Sequence, residues 1–286
     1  MIQLHYLIDE ATTVKAFLID QQFSKKSLSA IKRDGALLVN GMHVTVRKSL
    51  SPKDTLEVIL PPETRSPYLQ ESDIQVEVVY DDPYIIIANK PPNMNTIPSQ
   101  LHPHDSLIEA LYGYLKQMDD TCVLHPVSRL DRDTSGLVVM SKHQLFHHLL
   151  TNQIKKEYLL LCSGQVNMCG NICYPIARKH DSIIERIPHV KGQSARTEYQ
   201  RIAYDSKQDI SLVKATLHTG RTHQIRVHFK SLGHPLVGDT LYGKDTRLPR
   251  HALHAYAVKF KHPVTEEILF IESHLPNDLS HNMDVV

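Results

Sequence analysis

At 286 residues and 32.6 kDa the chain has room for one large domain or two modest ones. Its 32 Lys+Arg against 31 Asp+Glu give a net charge of +1, and 41% hydrophobic content excludes a disordered chain. Near-neutrality also argues against a nucleic-acid partner, since such binders usually carry a basic excess. No apolar run approaches the roughly 18 residues of a membrane span. The start, MIQLHYLIDE, lacks the basic-then-apolar pattern of a signal peptide, and four cysteines do not make a disulfide framework. A reducing cytoplasm and no membrane association are therefore expected.

The first sixty residues read as a small independent unit. Val14, Phe17 and Leu18 share one helical face, and Leu28 and Ile31 begin a second short helix with Gly35 at the C′ position. Ala36–Val39, Asn40-Gly41 and His43–Val46 spell a hairpin with a type I′ turn, and Thr55–Leu60 adds a strand. Lys25, Lys26, Lys32, Arg33, Arg47 and Lys48 cluster round the helix–hairpin junction, which on charge alone reads as a solvated face. Residues 63–73 carry no apolar period and read as a linker. From Glu63 to Asp82 six acids face one base, a local balance of −5.

From about Ile74 strands dominate. Gln75–Tyr80 and Tyr84–Ala88 flank the turn Asp81-Asp82-Pro83. Ser106–Met118 is a helix with a Ser106/Glu109 capping box and an apolar face of Leu107, Leu111, Tyr114, Leu115 and Met118. Leu137–Met140 is a buried strand, with a helix near Leu145–Leu150. Further strands are predicted at Glu157–Cys162, Thr197–Tyr204, Ile210–Leu217, His254–Phe260 and Glu267–Ile271. Few helices separate them, so the class is α+β rather than doubly wound.

Nineteen histidines require metal binding to be weighed. Cys162, Cys169, Cys173 and His180 lack the tight Cys-x2-4-Cys spacing of most zinc sites, and structural thiols are the better reading. His102/His104 and His147/His148 have no acidic or cysteine partner at ligand spacing, and no phosphate loop or nucleophile elbow is present. Two stretches are unusual. LHPVSRLDRDTSGLVVMSK (Leu124–Lys142) runs a charge-dense loop into an apolar strand through the small residues Thr134, Ser135 and Gly136, which permit close approach of a ligand or a tight turn. Asp131 lies between Arg129 and Arg132, beside the rival carboxylate Asp133. The bland reading is a surface salt-bridge loop. In LHTGRTHQIRVHFKSLGHPLVGDTLYG (Leu217–Gly243) a helix turns Ile225, Phe229 and Leu232 inward, while His223, Arg226 and Lys230 form a stripe that meets phosphates or faces water.

Together these stretches closely resemble the RluA-type pseudouridine synthases, which modify RNA. VVYDDPYIIIANKPPNM, KKEYLLLCSG, SARTEYQRI and LHAYAVKFKHPVTEEILF match the family in the same order, and the Asn40-Gly41 unit is similar to an S4 RNA-binding module. The resemblance implies an S4-like domain at 1–62, a linker at 63–73, and a catalytic domain of mixed, largely antiparallel sheet at 74–286. It identifies Asp131 as the essential aspartate rather than Asp133, Tyr158 as the active-site tyrosine, and Arg221 as the arginine paired with the aspartate. Arg129 would replace the flipped base. Thr134, Ser135, His223, Arg226, Lys32, Arg33 and Arg47 would contact substrate RNA. Ser128 departs from the histidine that many members carry before Arg-Leu-Asp. The implied partner is RNA, ribosomal ahead of transfer RNA, with a monomer as the default. Because the isomerisation leaves redox state and composition unchanged, no cofactor is expected. An RNA-binding protein without catalysis and a zinc hydrolase are the competing classes; replacing Asp131 tests the first and elemental analysis the second.

Overall fold

Apolar alternation organises most of this chain, and the elements it predicts are present in the computed structural model, which describes residues 2–279. The last seven residues of the expected catalytic span lie outside the described ones. At the N-terminus come β1 (Gln3–Leu7), β2 (Thr12–Thr13), α1 (Val14–Asp20), α2 (Lys25–Asp34), β3 (Ala36–Val39), β4 (Met42–His43), β5 (Ser49–Leu50) and β6 (Thr55–Ile59). Four of these strands form an antiparallel sheet in the order β1-β6-β3-β4. Thr13 and Ser24 cap α1 and α2 through side-chain oxygens that accept the N–H of Ala16 and Ser27. Asn40 and Gly41 have φ of 51° and 78°, as a type I′ turn requires.

Two expectations for this unit change. Gly35 is extended (φ −110°, ψ −159°) rather than left-handed; a Cβ there would lie 2.3 Å from the carbonyl oxygen of Ile59, so the close approach of β6 demands glycine. Nor does the unit stand apart. Its buried Val14, Leu18, Leu56 and Val58 belong to the same apolar cluster as Leu145 and Phe146, far along the chain.

The remaining elements are β7 (Glu77–Asp81), β8 (Ile85–Lys90), α3 (Leu107–Gln117), β9 (His125–Pro126), β10 (Ser135–Ser141), α4 (Gln144–Leu150), β11 (Lys155–Ser163), β12 (Cys169–Ile172), β13 (Ile176–Arg178), β14 (Arg186–Pro188), β15 (Thr197–Asp205), β16 (Ile210–Leu217), α5 (Gln224–Ser231), β17 (Leu253–Lys261) and β18 (Ile268–Glu272). A ten-stranded sheet runs β12-β15-β16-β11-β17-β10-β8-β7, with β18 on β17 and β9 on β10. Its pairings are antiparallel except β10–β17, which run parallel through Ser135↔His254 and Gly136↔Ala255. This is the mixed α+β sheet that the sequence implies.

Helix α3 covers the β8–β10 half through Leu107, Leu111 and Leu115, and α5 covers the β11–β16 half through Ile225 and Phe229. The capping box of α3 is formed, but its buried aromatic is Tyr112, while Met118 is 61% exposed. Tyr112 turns inward because Arg65 stacks on its ring at 4.4 Å and its hydroxyl accepts the N–H of Leu124. The predicted linker is thus strapped down. Arg65 also donates to the carbonyls of Asp120 and Cys122, and the Ser72 N–H donates to that of Glu109. Gly113 makes room for this strap; a Cβ there would lie 2.0 Å from the Ser72 carbonyl oxygen.

Candidate active site

Sheet topology brings the two unusual stretches together. The segment before β10 and the segment entering α5 line one cavity of about 390 Å³, whose wall includes Arg129, Asp131, Tyr158, Arg221, His223 and Arg226. Tyr158 comes from β11, where the register against β17 shifts next to it, between Glu157 and Tyr158. Such a bulge re-aims side chains beside a site.

The loop carrying Asp131 is held along its length. Thr96 Oγ1 accepts the N–H of Leu130 and donates to its carbonyl, both at 3.1 Å. Lys90, fully buried, donates to the carbonyls of Pro91, Met94 and Arg132 at 2.8, 2.7 and 3.0 Å. Burial pushes its pKa down to about 7, and the three carbonyls receive the protons of the charged form. Arg250 donates to the Asp133 carbonyl and to Ser135 Oγ, and is paired with Asp278 at 2.7 Å. Thr134 Oγ1 pairs with His251 Nε2 at 2.7 Å, and Ser135 Oγ with His254 Nδ1 at 2.9 Å. Burial, reinforced by neighbouring arginines, lowers these histidines to about 3 and about 4, so both are neutral at pH 7.

These contacts revise several assignments. Thr134 and Ser135 are 2% exposed and bonded to His251 and His254, so they brace the loop, and Thr134 also lines the cavity. Gly136 allows close approach of a strand, neither of a ligand nor of a turn. Its φ is 111°, and a Cβ would sit 2.3 Å from the Ala255 carbonyl oxygen on β17. Ser128 is buried and its Oγ accepts the N–H of Val139, which gives the residue standing in place of histidine a bracing role. Lys90, His251, His254 and Arg250 are the participants that sequence reasoning missed. For Lys90 and His254 the signal was a polar residue near the end of an apolar strand within a stretch already matched to the family; Arg250 and His251 precede β17 outside those stretches and gave none.

Asp131 does not pair with Arg221. Arg221 lines the cavity, but its Nε donates to the Ser194 carbonyl at 3.0 Å, because the residue precedes α5 and points along the rim. The basic side chains within 4 Å of Asp131 among the described residues are Arg226, with Nη1 at 3.4 Å from Oδ2, and His223, with Nε2 at 3.8 Å. Arg226, in the first turn of α5, is buried and also holds Asp239 through two bonds of 2.8 and 2.9 Å. Of the stripe, His223 and Arg226 therefore face the cavity and Asp131, while Lys230 is exposed. His223, left-handed at φ 57°, bonds Tyr242 Oη through Nδ1 at 2.8 Å, and Arg226 and Lys230 lie 5.0 and 5.5 Å from the Tyr242 ring.

Asp133 lies next to Arg132 at 3.4 Å and is absent from the main cavity. Arg129 is exposed at its mouth and has no carboxylate within 4 Å among the described residues. Burial, with the Asp131 charge adding, raises the Tyr158 phenol far above its ordinary value, so it is neutral. In the N-terminal unit Lys32 and Arg47 are exposed, while Arg33 is paired with Asp34 at 2.7 Å. The segment 170–193 completes β12 at the sheet edge and forms the β13–β14 hairpin. That hairpin is tied to the site where the Arg186 N–H donates to Tyr242 Oη at 2.8 Å. Cys162 is buried in the core, whereas Cys169 and Cys173 are exposed.

Residues 84–231 match the family model described as RNA pseudouridylate synthase. The chain is 39% identical to an uncharacterized RNA pseudouridine synthase of Bacillus subtilis, over 94% of this chain and 97% of that one. It is 32% identical to a ribosomal large subunit pseudouridine synthase D of Nitrosomonas europaea, over 91% of this chain and 79% of that one. Among solved structures, human RNA pseudouridylate synthase domain containing 1 superposes with a TM-score of 0.58 at 23% identity, covering 72% of this chain and 85% of that one. That likeness concerns the fold.

Proposed function

The chain belongs to the RNA pseudouridine synthases, and from that premise we propose that it isomerises uridine in ribosomal large-subunit RNA through Asp131. The observation that carries the assignment is the braced loop, which presents one carboxylate to a cavity walled by a neutral buried tyrosine. In the reaction the N1–C1′ bond breaks, the uracil turns over, C5 bonds to C1′, and a proton leaves C5 while N1 gains one. Asp131 acts on the ribose, as nucleophile at C1′ or base at C2′. Arg226 touches it at 3.4 Å while spending its better bonds on Asp239, which leaves Asp131 free to react.

Tyr158 supplies a surface for the loose uracil; its neutral phenol suits stacking better than proton abstraction. Arg129 fills the stack that the flipped base vacates, offsetting an unstacking cost of a few kcal/mol. Arg221 contacts RNA at the rim. Lys32, Arg33 and Arg47 belong to an S4-like module that touches RNA outside the cavity, and the enzyme works as a cytoplasmic monomer. The similarity to a ribosomal large subunit synthase supports the choice of RNA.

Replacing Asp131 by Asn is expected to abolish pseudouridine formation on large-subunit RNA from cells lacking this gene, with folding unchanged by circular dichroism. Retained turnover by the folded variant refutes the mechanism.

A further inference from the structure

Beside the main cavity lies a second recess of about 260 Å³ that shares Lys156, Arg221, Gly220, Leu217 and Val127 with it, so the two form one trough. The recess adds the polar side chains of Thr151, Asn152 and Thr219, and no aspartate or glutamate lines it.

Lys156 separates this recess from the reacting cavity. Its neighbour Lys155 is neutralised by Glu157 at 3.0 Å, and Lys214 takes the other Glu157 oxygen at 2.7 Å. Alternation along β11 places Lys156 on the other face, with Tyr158 two residues on. It is half-buried, and no carboxylate lies within 4 Å of it among the described residues. Burial alone lowers its pKa, which marks an ammonium that has lost water without gaining a partner. Arg221, at the rim, likewise has no carboxylate within 4 Å among the described residues; its known bond is to a carbonyl. Two cations without counterions, in a recess without acids, continuous with a nucleotide-sized cavity, call for an anion delivered by the ligand.

We propose that this recess is a phosphodiester subsite, in which Lys156 holds the RNA backbone phosphate next to the flipped uridine, with Arg221 at its edge. The identity of the nucleotide in the main cavity rests on the function proposed above; the subsite itself rests on the recess and its cations. Lys156 would fix how far the strand enters, so that the ribose stops at Asp131.

The test separates binding from chemistry. Asp131→Asn blocks turnover, and in that background affinity for an in vitro transcript of large-subunit ribosomal RNA is measured from about 50 to 200 mM salt. Lys156→Gln is expected to weaken binding about tenfold and to reduce the slope of log affinity against log salt by about 0.7 to 0.9. Lys156→Arg should restore both, and Lys207→Gln, on the exposed turn after β15, should change neither. With Asp131 intact, Lys156→Gln should raise KM with little change in kcat. Lys156→Met, which keeps the apolar stem, replaces the Gln variant if that one does not fold. Unaltered affinity and slope, no binding by the Asp131→Asn protein, or a fall in kcat at unchanged KM overturns the subsite. A Lys156-dependent slope in a wild-type protein that makes no pseudouridine keeps the subsite and refutes the function proposed above.

Discussion

Arg226 serves two carboxylates, and removing it should cost both stability and turnover by separable routes. Asp239 has a fully buried side chain and accepts two bonds from Arg226 besides the N–H groups of Leu241 and Tyr242. Arg226→Met keeps the stem but strands the Asp239 charge, a loss of about 3–5 kcal/mol. Asp239→Asn in the same chain keeps an acceptor for the two N–H groups and removes the stranded charge. The double variant should therefore recover about half of that loss, so that the coupling energy is about 2 kcal/mol plus whatever Asp239→Asn costs alone. Turnover should stay about 10- to 100-fold low in both, because the charged contact to Asp131 is gone.

Urea unfolding supplies the stabilities and pseudouridine formation the rates. The pH dependence carries a sign. Burial would raise the Asp239 pKa, but the Arg226 bonds outweigh it and hold it below the ordinary 3.8. Its stabilisation is thus present above about pH 4 and lost only as pH falls through the lowered value. In Arg226→Met burial loses its main opponent, with the backbone N–H bond of Tyr242 remaining, and the pKa rises, so the deficit relative to wild type should shrink from pH 7 to pH 5. A coupling energy near zero, or a deficit independent of pH, refutes the reasoning.

Two further outcomes bear on the frame of the site. Gly136→Ala should cost about 3 kcal/mol or more, since both the φ of 111° and the contact with Ala255 resist a Cβ; urea unfolding measures it. Phe146→Ala should lose about 3–5 kcal/mol and expose residues 61–73 to proteolysis, because Phe146 is buried among residues of the N-terminal unit. An unchanged cleavage pattern would show that the two units do not support each other.

Strands such as Ile210–Leu217 were legible because alternation reports burial directly, and the α3 capping box because both its members are local in sequence. Beyond that range legibility fell. Nothing local told Arg226 from Arg221, since which one reaches Asp131 depends on where α5 begins and how it lies on β11 and β16. The helical wheel puts Tyr114 on the apolar face and Tyr112 off it, and Arg65, 47 residues before Tyr112, is what covers that second ring. The bracing of the Asp131 loop was illegible for the same reason: Lys90 lies 42 residues from its acceptor on Arg132, and His251 lies 117 residues from Thr134. The hairpin at 176–188 was missed because its strands are three residues each, too short for a period to register.

The parallel contact between β10 and β17, only two rungs long, is the place where two antiparallel half-sheets are spliced. Asp131 arrives from one half and Tyr158 from the other, and neither half owns a complete reaction centre. If Asp131 and Tyr158 act together as proposed, catalysis is a property of the splice, and turnover reads out its integrity more directly than any probe of secondary structure.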